Sequence, residues 1–206
     1  MRTFACVLKT GGDYNADHVR ILQNQVRRAM PSTERFVCLT DLPEIEGVET
    51  MPLLMDLPGK YSMVEVFWIT GQVVVTGLDT VLKGDLDDIW DVAKNTGPNT
   101  FWVMKSFNAK RQYGNNPMVW NGNWTKLIEN YPPRICLKHP LEQECTFWKL
   151  RKEGAEIKVL DDLFTIKSYK HNYIKSERPK GDQFIIFHGD PRPHQVTVPW
   201  VKELYQ

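Results

Sequence analysis

Three consecutive valines at residues 73–75 constrain the fold of this 206-residue chain more than any other stretch. The run is β-branched and lies between Gly71 and Gly77, a pattern typical of a strand buried on both faces of an α/β sheet. Asp79 follows the carboxyl end of this predicted strand. Because such sheets bind ligands beyond the carboxyl ends of their strands, Asp79 is a candidate contact for a metal ion or a phosphate. The alternative is a turn aspartate that caps a loop.

Strand-like and helix-like stretches alternate along the chain. Residues 15–30 predict a helix capped by Asn15, because Val19, Leu22 and Val26 recur at helical spacing. Apolar runs predict strands at residues 4–8, 36–39, 48–53, 101–104, 157–160 and 184–187, an extended piece at 115–122, and helices at 61–69, 124–131, 141–152 and 198–205. Residues 166–181 show little periodicity. The β-α-β order predicts a mixed, mostly parallel sheet flanked by helices.

Composition narrows the classes of protein that fit. The hydrophobic content of 42% is enough for one full core, and the length predicts a single domain over residues 1–206. The 26 basic residues balance 25 acidic ones, so no global charge draws the chain to nucleic acid or to an anionic membrane. The apolar run 3–8 is too short for a signal sequence or a membrane span. The four cysteines lack metal-ligand spacing, so we expect reduced thiols in a cytoplasmic protein.

Four loops follow predicted strands, at residues 9–14, 40–41, 77–80 and 188–192, and we expect their side chains to converge. Asp79 and His188 would then form an oxygen and imidazole pair suited to Mn2+ or Mg2+, with a nucleotide diphosphate and water as the other ligands. The alternative for His188 is a hydrogen-bonded structural histidine. The first loop, from Lys9 to Tyr14, is a candidate ligand loop.

The central stretch resembles the nucleotide-sugar glycosyltransferases of the GT-A fold, especially family-8-like enzymes and their small phage and bacterial members. In these enzymes a buried strand is followed by Asp-x-Asp, then by a Thr-Val pair, and then by Gly-Asp-Leu at the start of a helix. Residues 75–81 and 84–86 of this chain follow the same order. One departure is serious, because Gly77 stands where the family has its first aspartate and only Asp79 matches. The resemblance implies a GT-A-like, Rossmann-like domain in which residues 165–206 complete the donor site.

A second motif carries the resemblance near the end of the chain. The segment His-Gly-Asp-Pro-Arg-Pro at residues 188–193 is similar to the family's His-Gly-x-x-Lys-Pro. The resemblance implies that His188 binds the metal, that Gly189 belongs to the donor loop, and that Arg192 binds the diphosphate. Arginine keeps the lysine's charge and can contact phosphate through two N–H groups.

The resemblance also assigns donor-binding roles elsewhere. Tyr14 resembles the tyrosine that stacks on the nucleobase, and Asp13 resembles its acidic neighbour that accepts a hydrogen bond from the base. The alternative is an ordinary Gly-Gly-Asp turn, and we favour the functional interpretation. Asp41 follows the second strand where the relatives border base and ribose, but Thr-Asp is also a common cap. Asn115 and Asn116 occupy the place of a strand entry near the donor sugar.

The candidate catalytic residues lie at the start of a predicted helix. Glu142-Gln143-Glu144 falls where the relatives carry Asp-Gln-Asp, so the resemblance places Glu142 on the sugar and Gln143 under the anomeric carbon. A glutamate-rich helix start is the alternative. Met63 stands where many relatives carry lysine, which removes a donor-side contact.

The expected activity is transfer of a hexose from a nucleoside diphosphate donor, UDP in the first instance, with retention inferred only from the family. The acceptor is not identified, and glycans, proteins and a modified DNA base all fit; a basic strip at residues 167–180 could contact an anionic acceptor, although a solvated loop explains it as well. One rival is a degenerate module that binds a nucleotide sugar or glycan without turnover, which Gly77 and Met63 favour. A second rival is a sugar-phosphate nucleotidyltransferase, against which stands the lack of a glycine-rich, basic signature near the N-terminus.

Overall fold

A computed structural model describes residues 1–55, 57–129, 142–174 and 178–206. Its larger sheet has seven strands: β1 (Arg2–Leu8), β2 (Arg35–Thr40), β3 (Glu49–Pro52), β4 (Gln72–Val75), β6 (Thr100–Lys105), β7 (Tyr113–Trp120) and β8 (Glu156–Val159). Their spatial order is β3-β2-β1-β4-β7-β6-β8. Strands β1 to β4 run parallel, β7 is antiparallel to both β4 and β6, and β8 is parallel to β6. The predicted mixed, mostly parallel α/β sheet is therefore confirmed.

The central strand β4 is buried on both faces, as its valine run predicts. Val74 packs into one apolar cluster with Leu22 and Trp90, whereas Val73 and Val75 pack into a second cluster on the opposite face. Alternate side chains of a strand point to opposite faces, so a run without polar residues requires cover on each side. The loop after β4 is thereby anchored between two cores.

Helices and turns cover both faces of this sheet. The helices are α1 (Ala16–Ala29), α2 (Ile89–Lys94), α3 (Lys126–Glu129), α4 (Glu142–Lys152), α5 (Tyr169–Asn172) and α6 (Pro199–Leu204). The predicted cap of α1 is confirmed, since the Asn15 side chain accepts from the backbone N–H groups of Asp17 and His18. Residues 130–131 of the predicted 124–131 helix, and residue 141 of the next, lie outside the described residues.

The short helix predicted at residues 61–69 is present as a 3-10 helix, Gly59–Trp68. Its Glu65 is fully buried, and its carboxylate accepts from the backbone N–H groups of Leu54 at 2.5 Å and Met55 at 3.2 Å. Side chains of this segment are buried on several sides, so tertiary contacts outweigh helix propensity here.

A second, three-stranded sheet was not predicted. It consists of β5 (Thr80–Lys83), β9 (Ile166–Ser168) and β10 (Gln183–Ile186), in the order β5-β10-β9. Strand β10 is antiparallel to β5 and parallel to β9. Strands of three or four residues are too short to show a period, which is why β5 and β9 left no clear signal in the sequence.

Two further outcomes concern the cysteines and the membrane. Cys145 is disulfide-bonded, so the expectation of four reduced cysteines is wrong at this position, whereas Cys6 and Cys38 are free and buried. Cysteine spacing identifies metal motifs but does not exclude pairing, because pairing depends on the distance between the two Cα atoms in the fold. Among the described residues, no helix combines the length and the apolar character needed to cross a membrane.

Candidate active site

Two pockets lie on either side of Asp79. The first, here called the tyrosine pocket, has a volume of about 330 Å³ and is lined by residues that include Lys9, Asp13, Tyr14, Lys60, Met63, Gly77 and Arg192. The second, here called the histidine pocket, has a volume of about 540 Å³ and is lined by residues that include Phe107, Arg111, Gln143, His171 and His188. Asp79, Asn115 and Asn116 line both pockets. These three residues form a common wall, so a ligand that spans the two pockets must pass them.

The small sheet brings His188 next to Asp79, although 108 positions separate them. Thr80 at the start of β5 pairs with Ile186 at the end of β10. The backbone N–H of Phe187 then donates to the backbone carbonyl of Asp79 at 2.8 Å. The predicted convergence of these two loops is therefore present. The loop at residues 188–192 follows β10 of the smaller sheet, whereas the other three loops follow strands of the larger one.

The Asp79 carboxylate is held by an asparagine across the wall. The Asn116 side-chain amide donates to Asp79 Oδ1 at 2.8 Å and to Thr80 Oγ1 at 3.0 Å. A Cβ atom at Gly77 would lie 2.5 Å from Asp79 Oδ1 and 2.9 Å from Asn116 Nδ2. The carboxylate of Asp79 thus occupies the space next to Gly77 that a side chain at that position would need.

His188 sits in an aromatic and polar environment. Its Nε2 lies 2.7 Å from Ser168 Oγ, which also accepts from the backbone N–H of His171 at 3.1 Å. Its ring stacks on Phe107, with 5.1 Å between centroids, and meets the ring of His171 edge to face at 5.2 Å. Burial, followed by the charges of His171 and Lys170, lowers the pKa of His188 below its ordinary value. Both effects favour the neutral imidazole, the form in which histidine binds a metal.

Asp79 and His188 line the same pocket and are the candidate ligands for a divalent cation. Within the described ranges, no group of three or more His, Cys, Asp or Glu side chains could hold a metal ion. Asp79 and His188 supply two ligand types, and Ser168 is in place to orient the imidazole through Nε2. Two protein ligands suit an ion that takes its remaining positions from phosphate and water, as Mg2+ commonly does, and do not suit a resident structural ion.

In the tyrosine pocket, Arg192 joins two loops that are far apart in sequence. Its guanidinium Nε donates to Asp13 Oδ2 at 2.9 Å, and its carbon lies 5.6 Å from the centroid of the Tyr14 ring. The Tyr14 ring also meets the rings of His18 and His194 edge to face. Burial, and next the nearby Asp79 carboxylate, raise the pKa of Tyr14 above its ordinary value. Tyr14 is thus a neutral aromatic surface beside a cation.

The side chain of Asp41 holds the loop after β1 in place. Its carboxylate accepts from the backbone N–H of Thr10 at 2.9 Å and from the Thr10 hydroxyl at 2.7 Å, and lies 3.5 Å from Lys9 Nζ. Burial works against ionisation, but these hydrogen bonds outweigh it and hold the pKa of Asp41 below its ordinary value. Asp41 does not line the tyrosine pocket, so it supports the loop that carries Lys9 and does not form part of the pocket wall.

The structure brings together most of the residues singled out in the sequence. Gln143 lines the histidine pocket, but the side chain of Glu142 lies outside the described residues. Gly189 has φ of +78° and lines neither pocket; it gives the loop a left-handed turn between His188 and Arg192. The sequence reasoning missed Lys60, His171, Phe107 and Arg111 as pocket residues. Lys60 had one usable signal, since it follows Pro-Gly three residues before Met63, where the relatives carry lysine.

The fold is a mixed α/β architecture of the kind found in GT-A glycosyltransferases. No family model and no curated protein matches the chain. Among crystal structures, the chain is similar to the galactosyltransferase LgtC in complex with donor and acceptor sugar analogues, with a TM-score of 0.67 and 12% identity over 98% of this chain and 95% of that one. It is also similar to the glycosyltransferase GlyE of Streptococcus pneumoniae TIGR4, with a TM-score of 0.65 and 12% identity over 99% of this chain and 59% of that one.

A structure of a different class shares part of the architecture. A Bacillus anthracis protein assigned as a glucose-1-phosphate thymidylyltransferase, in complex with sucrose, gives a TM-score of 0.51 at 8% identity over 77% of this chain and 87% of that one. At such identities, likeness establishes the fold and leaves the chemistry to the residues of the site.

Proposed function

We propose that this protein is a glycosyltransferase that takes a hexose from a nucleoside diphosphate donor, with UDP as the first nucleotide to test. The observation that carries the proposal is the common wall of Asp79, Asn115 and Asn116 between two pockets of different chemistry. The tyrosine pocket offers the Tyr14 ring and three cations, whereas the histidine pocket offers two imidazoles and the Gln143 amide beside Phe107 and Arg111. A nucleotide sugar needs both surfaces, one for its base and diphosphate and one for its sugar.

The cations of the tyrosine pocket would bind the diphosphate and stabilise the charge that develops on it. Lys9, Lys60 and Arg192 all line this pocket. Groups that are already oriented toward developing charge contribute strongly to catalysis, because little reorganisation is needed during the reaction. Asp79 and His188 would hold a divalent ion, Mn2+ or Mg2+, which supplies further positive charge to the diphosphate when bound.

The sugar would lie in the histidine pocket. Gln143 is the described residue of the predicted Glu-Gln pair that lines this space, and its amide can orient the sugar by hydrogen bonds. Asn115 lines both pockets and is suited to contact the bond region between sugar and diphosphate. We assign no protein nucleophile, and retention of configuration remains part of the proposal.

The test is a donor screen with two readouts. UDP and GDP are added to the protein with Mn2+ or with EDTA, and the melting temperature is followed, because a ligand that binds only the folded state raises it by mass action. Matching UDP- and GDP-sugars are then tested for hydrolysis. Absence of any shift with every nucleotide would refute donor binding.

A binding module without turnover is the second candidate, and one observation favours it. Gly77 supplies no carboxylate, and Asn116 already engages Asp79. Metal-dependent binding of UDP without hydrolysis or transfer of any donor would support this candidate. Release of pyrophosphate from a nucleoside triphosphate and a sugar 1-phosphate would instead point to a nucleotidyltransferase.

A further inference from the structure

A third pocket opens beside the histidine pocket and is lined by basic side chains. This arginine pocket has a volume of about 200 Å³, and its lining includes Lys110, Arg111, Arg151 and Glu144. It lies between the loop after β6, the start of β7 and one face of α4. Of its described lining residues three are cationic, and Glu144 is the acidic one. The pocket therefore has a positive balance, whereas the chain as a whole is close to neutral.

Both arginines are positioned by neighbours. Arg111 Nε donates to Glu144 Oε1 at 3.1 Å, and its side chain is 29% exposed. Arg151 donates through a terminal nitrogen to Gln112 Oε1 at 2.9 Å, and its guanidinium carbon lies 5.6 Å from the centroid of the Tyr113 ring. An arginine that is held by an amide and an aromatic ring keeps its charge and loses less entropy when it binds an anion.

The arginine pocket continues from the histidine pocket. Arg111 and Gln143 line both of them. A ligand that begins at Asp79 and passes Gln143 therefore reaches Arg111 and then Arg151. The arginine pocket shares no lining residue with the tyrosine pocket, so the histidine pocket connects the two.

We propose that the acceptor is a saccharide that carries a phosphate or carboxylate group, and that Arg111 and Arg151 bind this group while the accepting hydroxyl lies near Gln143. The proposal rests on the proposed glycosyl transfer, because it assigns the histidine pocket to the sugar. In that transfer the acceptor oxygen bonds to the anomeric carbon, and the bond from this carbon to the diphosphate breaks. The electron pair leaves with the nucleoside diphosphate, which takes up the hydroxyl proton. The anionic group of the acceptor is unchanged.

The test measures binding without any donor. Glucose, glucose 6-phosphate and glucuronate are titrated into the 15N-labelled full-length protein, and the side-chain Nε–H signals of Arg111 and Arg151 are followed by NMR. We expect at least one anionic sugar to bind about tenfold or more tightly than glucose, because hydrogen bonds to charged groups exceed neutral ones. The two anionic sugars distinguish a phosphate from a carboxylate ligand.

Neighbouring residues of α4 provide the matched control. Arg151→Gln and Lys152→Gln remove one charge each, but Lys152 lies over the Trp148 ring and does not line the pocket. We expect Arg151→Gln to abolish most of the preference for the anionic sugar and Lys152→Gln to leave it. Equal losses in both variants, or equal binding of all three sugars by the native protein, would overturn the proposal. Melting curves of both variants verify the fold.

A final arm separates this site from the donor site. UDP is added at saturation, and the anionic sugar is titrated again. We expect both to bind together, whereas competition would place the anion in the tyrosine pocket and overturn the proposal. If UDP fails to bind but the anionic sugar still requires Arg151, the anion site stands and glycosyl transfer fails. A single-stranded oligonucleotide is titrated in the same way. If it binds more tightly than either anionic sugar, the result contradicts a saccharide acceptor.

Discussion

The tyrosine and histidine pockets meet at one wall but are built in different ways. The tyrosine pocket is formed mainly by loops at the carboxyl ends of β1 and β4, parallel neighbours in the larger sheet, together with Arg192. The histidine pocket draws on the loop after β6, the start of α4, α5 and the end of β10. Neighbouring parallel strands bring their carboxyl ends to the same edge of a sheet. In the histidine pocket, by contrast, Ile186 and His188 arrive from the end of a strand of the separate small sheet.

This difference in construction indicates which of the two pockets tolerates changes of sequence. The half built on parallel strands offers features that any nucleoside diphosphate requires, an aromatic ring and cations. The other half depends on short elements and loops, which tolerate change and carry specificity in many enzymes. We therefore expect the donor to be read mainly by the first pocket and the acceptor by the second.

The strongest test of the common wall is Asp79→Asn, which keeps the shape of the side chain and removes its charge. We expect activity to fall by about 100-fold or more, comparable with the loss of one preorganised group at a reaction centre. His188→Ala should have a similar effect, and the double variant should lose little more, because both act on the same ion. Transfer rates with Mn2+ and with EDTA measure this.

Asp88→Asn is the control, since Asp88 is exposed at the start of α2 and lines neither pocket. If the losses of activity in Asp79→Asn and His188→Ala simply add in the double variant, the two residues act independently.

Tyr14 tests the donor half. Tyr14→Ala should weaken UDP binding by about 1–3 kcal/mol if the ring stacks on the base. Tyr14→Phe should bind UDP like the native protein, because it keeps the ring, and the hydroxyl it removes is buried with no hydrogen-bond partner recorded in the structure. Calorimetry measures both. If Tyr14→Ala binds UDP as tightly as the native protein does, Tyr14 is a turn residue and does not stack on the base.

Gly77 tests the space beside the wall. Gly77→Asp would restore the Asp-x-Asp of the enzymes that the central stretch resembles, and on that ground it should tighten Mn2+ binding. Any side chain at this position must, however, first displace Asp79 and Asn116. We expect Gly77→Ala to cost about 1–2 kcal/mol of stability through overpacking and to weaken metal binding in the presence of UDP. Gly77→Asp then shows whether an added carboxylate offsets that displacement.

Gly97→Ala serves as the matched change, because its Cβ would meet only Thr100 Oγ1, at 3.6 Å. Tighter Mn2+ binding by Gly77→Asp than by native protein would show that the loop relaxes around the new side chain.

The smallest expected effect concerns Glu65, which holds the 3-10 helix that carries Lys60 into the tyrosine pocket. Burial raises the pKa of Glu65 above its ordinary value of 4.5, despite the two backbone N–H donors. The folded state therefore binds protons more tightly than the unfolded state, so this residue's contribution to stability falls as pH rises from 4.5 toward the folded pKa. Glu65→Gln should remove that slope and cost about 1 kcal/mol where the native carboxylate is ionised.

Urea unfolding between acidic and neutral pH measures this contribution. Thr70→Ala, an exposed change beyond the same helix, should keep the native pH dependence. If the free energy of unfolding of Glu65→Gln changes with pH as it does in the native protein, the pH dependence comes from other groups.

Much of the larger sheet could be predicted because its cause is local. The valine run at residues 73–75 requires burial on both faces, and the Asn15 cap with its helical spacing specifies α1, so both are determined before any long-range contact forms. The motif residues Asp79, His188 and Arg192 were also visible, since each follows a strand-like run or belongs to a recognisable segment. Their roles remain predictions.

What only the tertiary structure decided is the set of neighbours around those residues. The sequence gives no reason for Asn116 to contact Asp79, for Asp41 to hold the loop after β1, or for Arg111 and Arg151 to line one pocket. These contacts depend on β5 pairing with β10 and on β7 lying beside β4. The first pairing joins Thr80 to Ile186, with 105 positions between them in the chain. Strands so short carry little pattern of their own, and their partners are chosen by the packing of the whole chain.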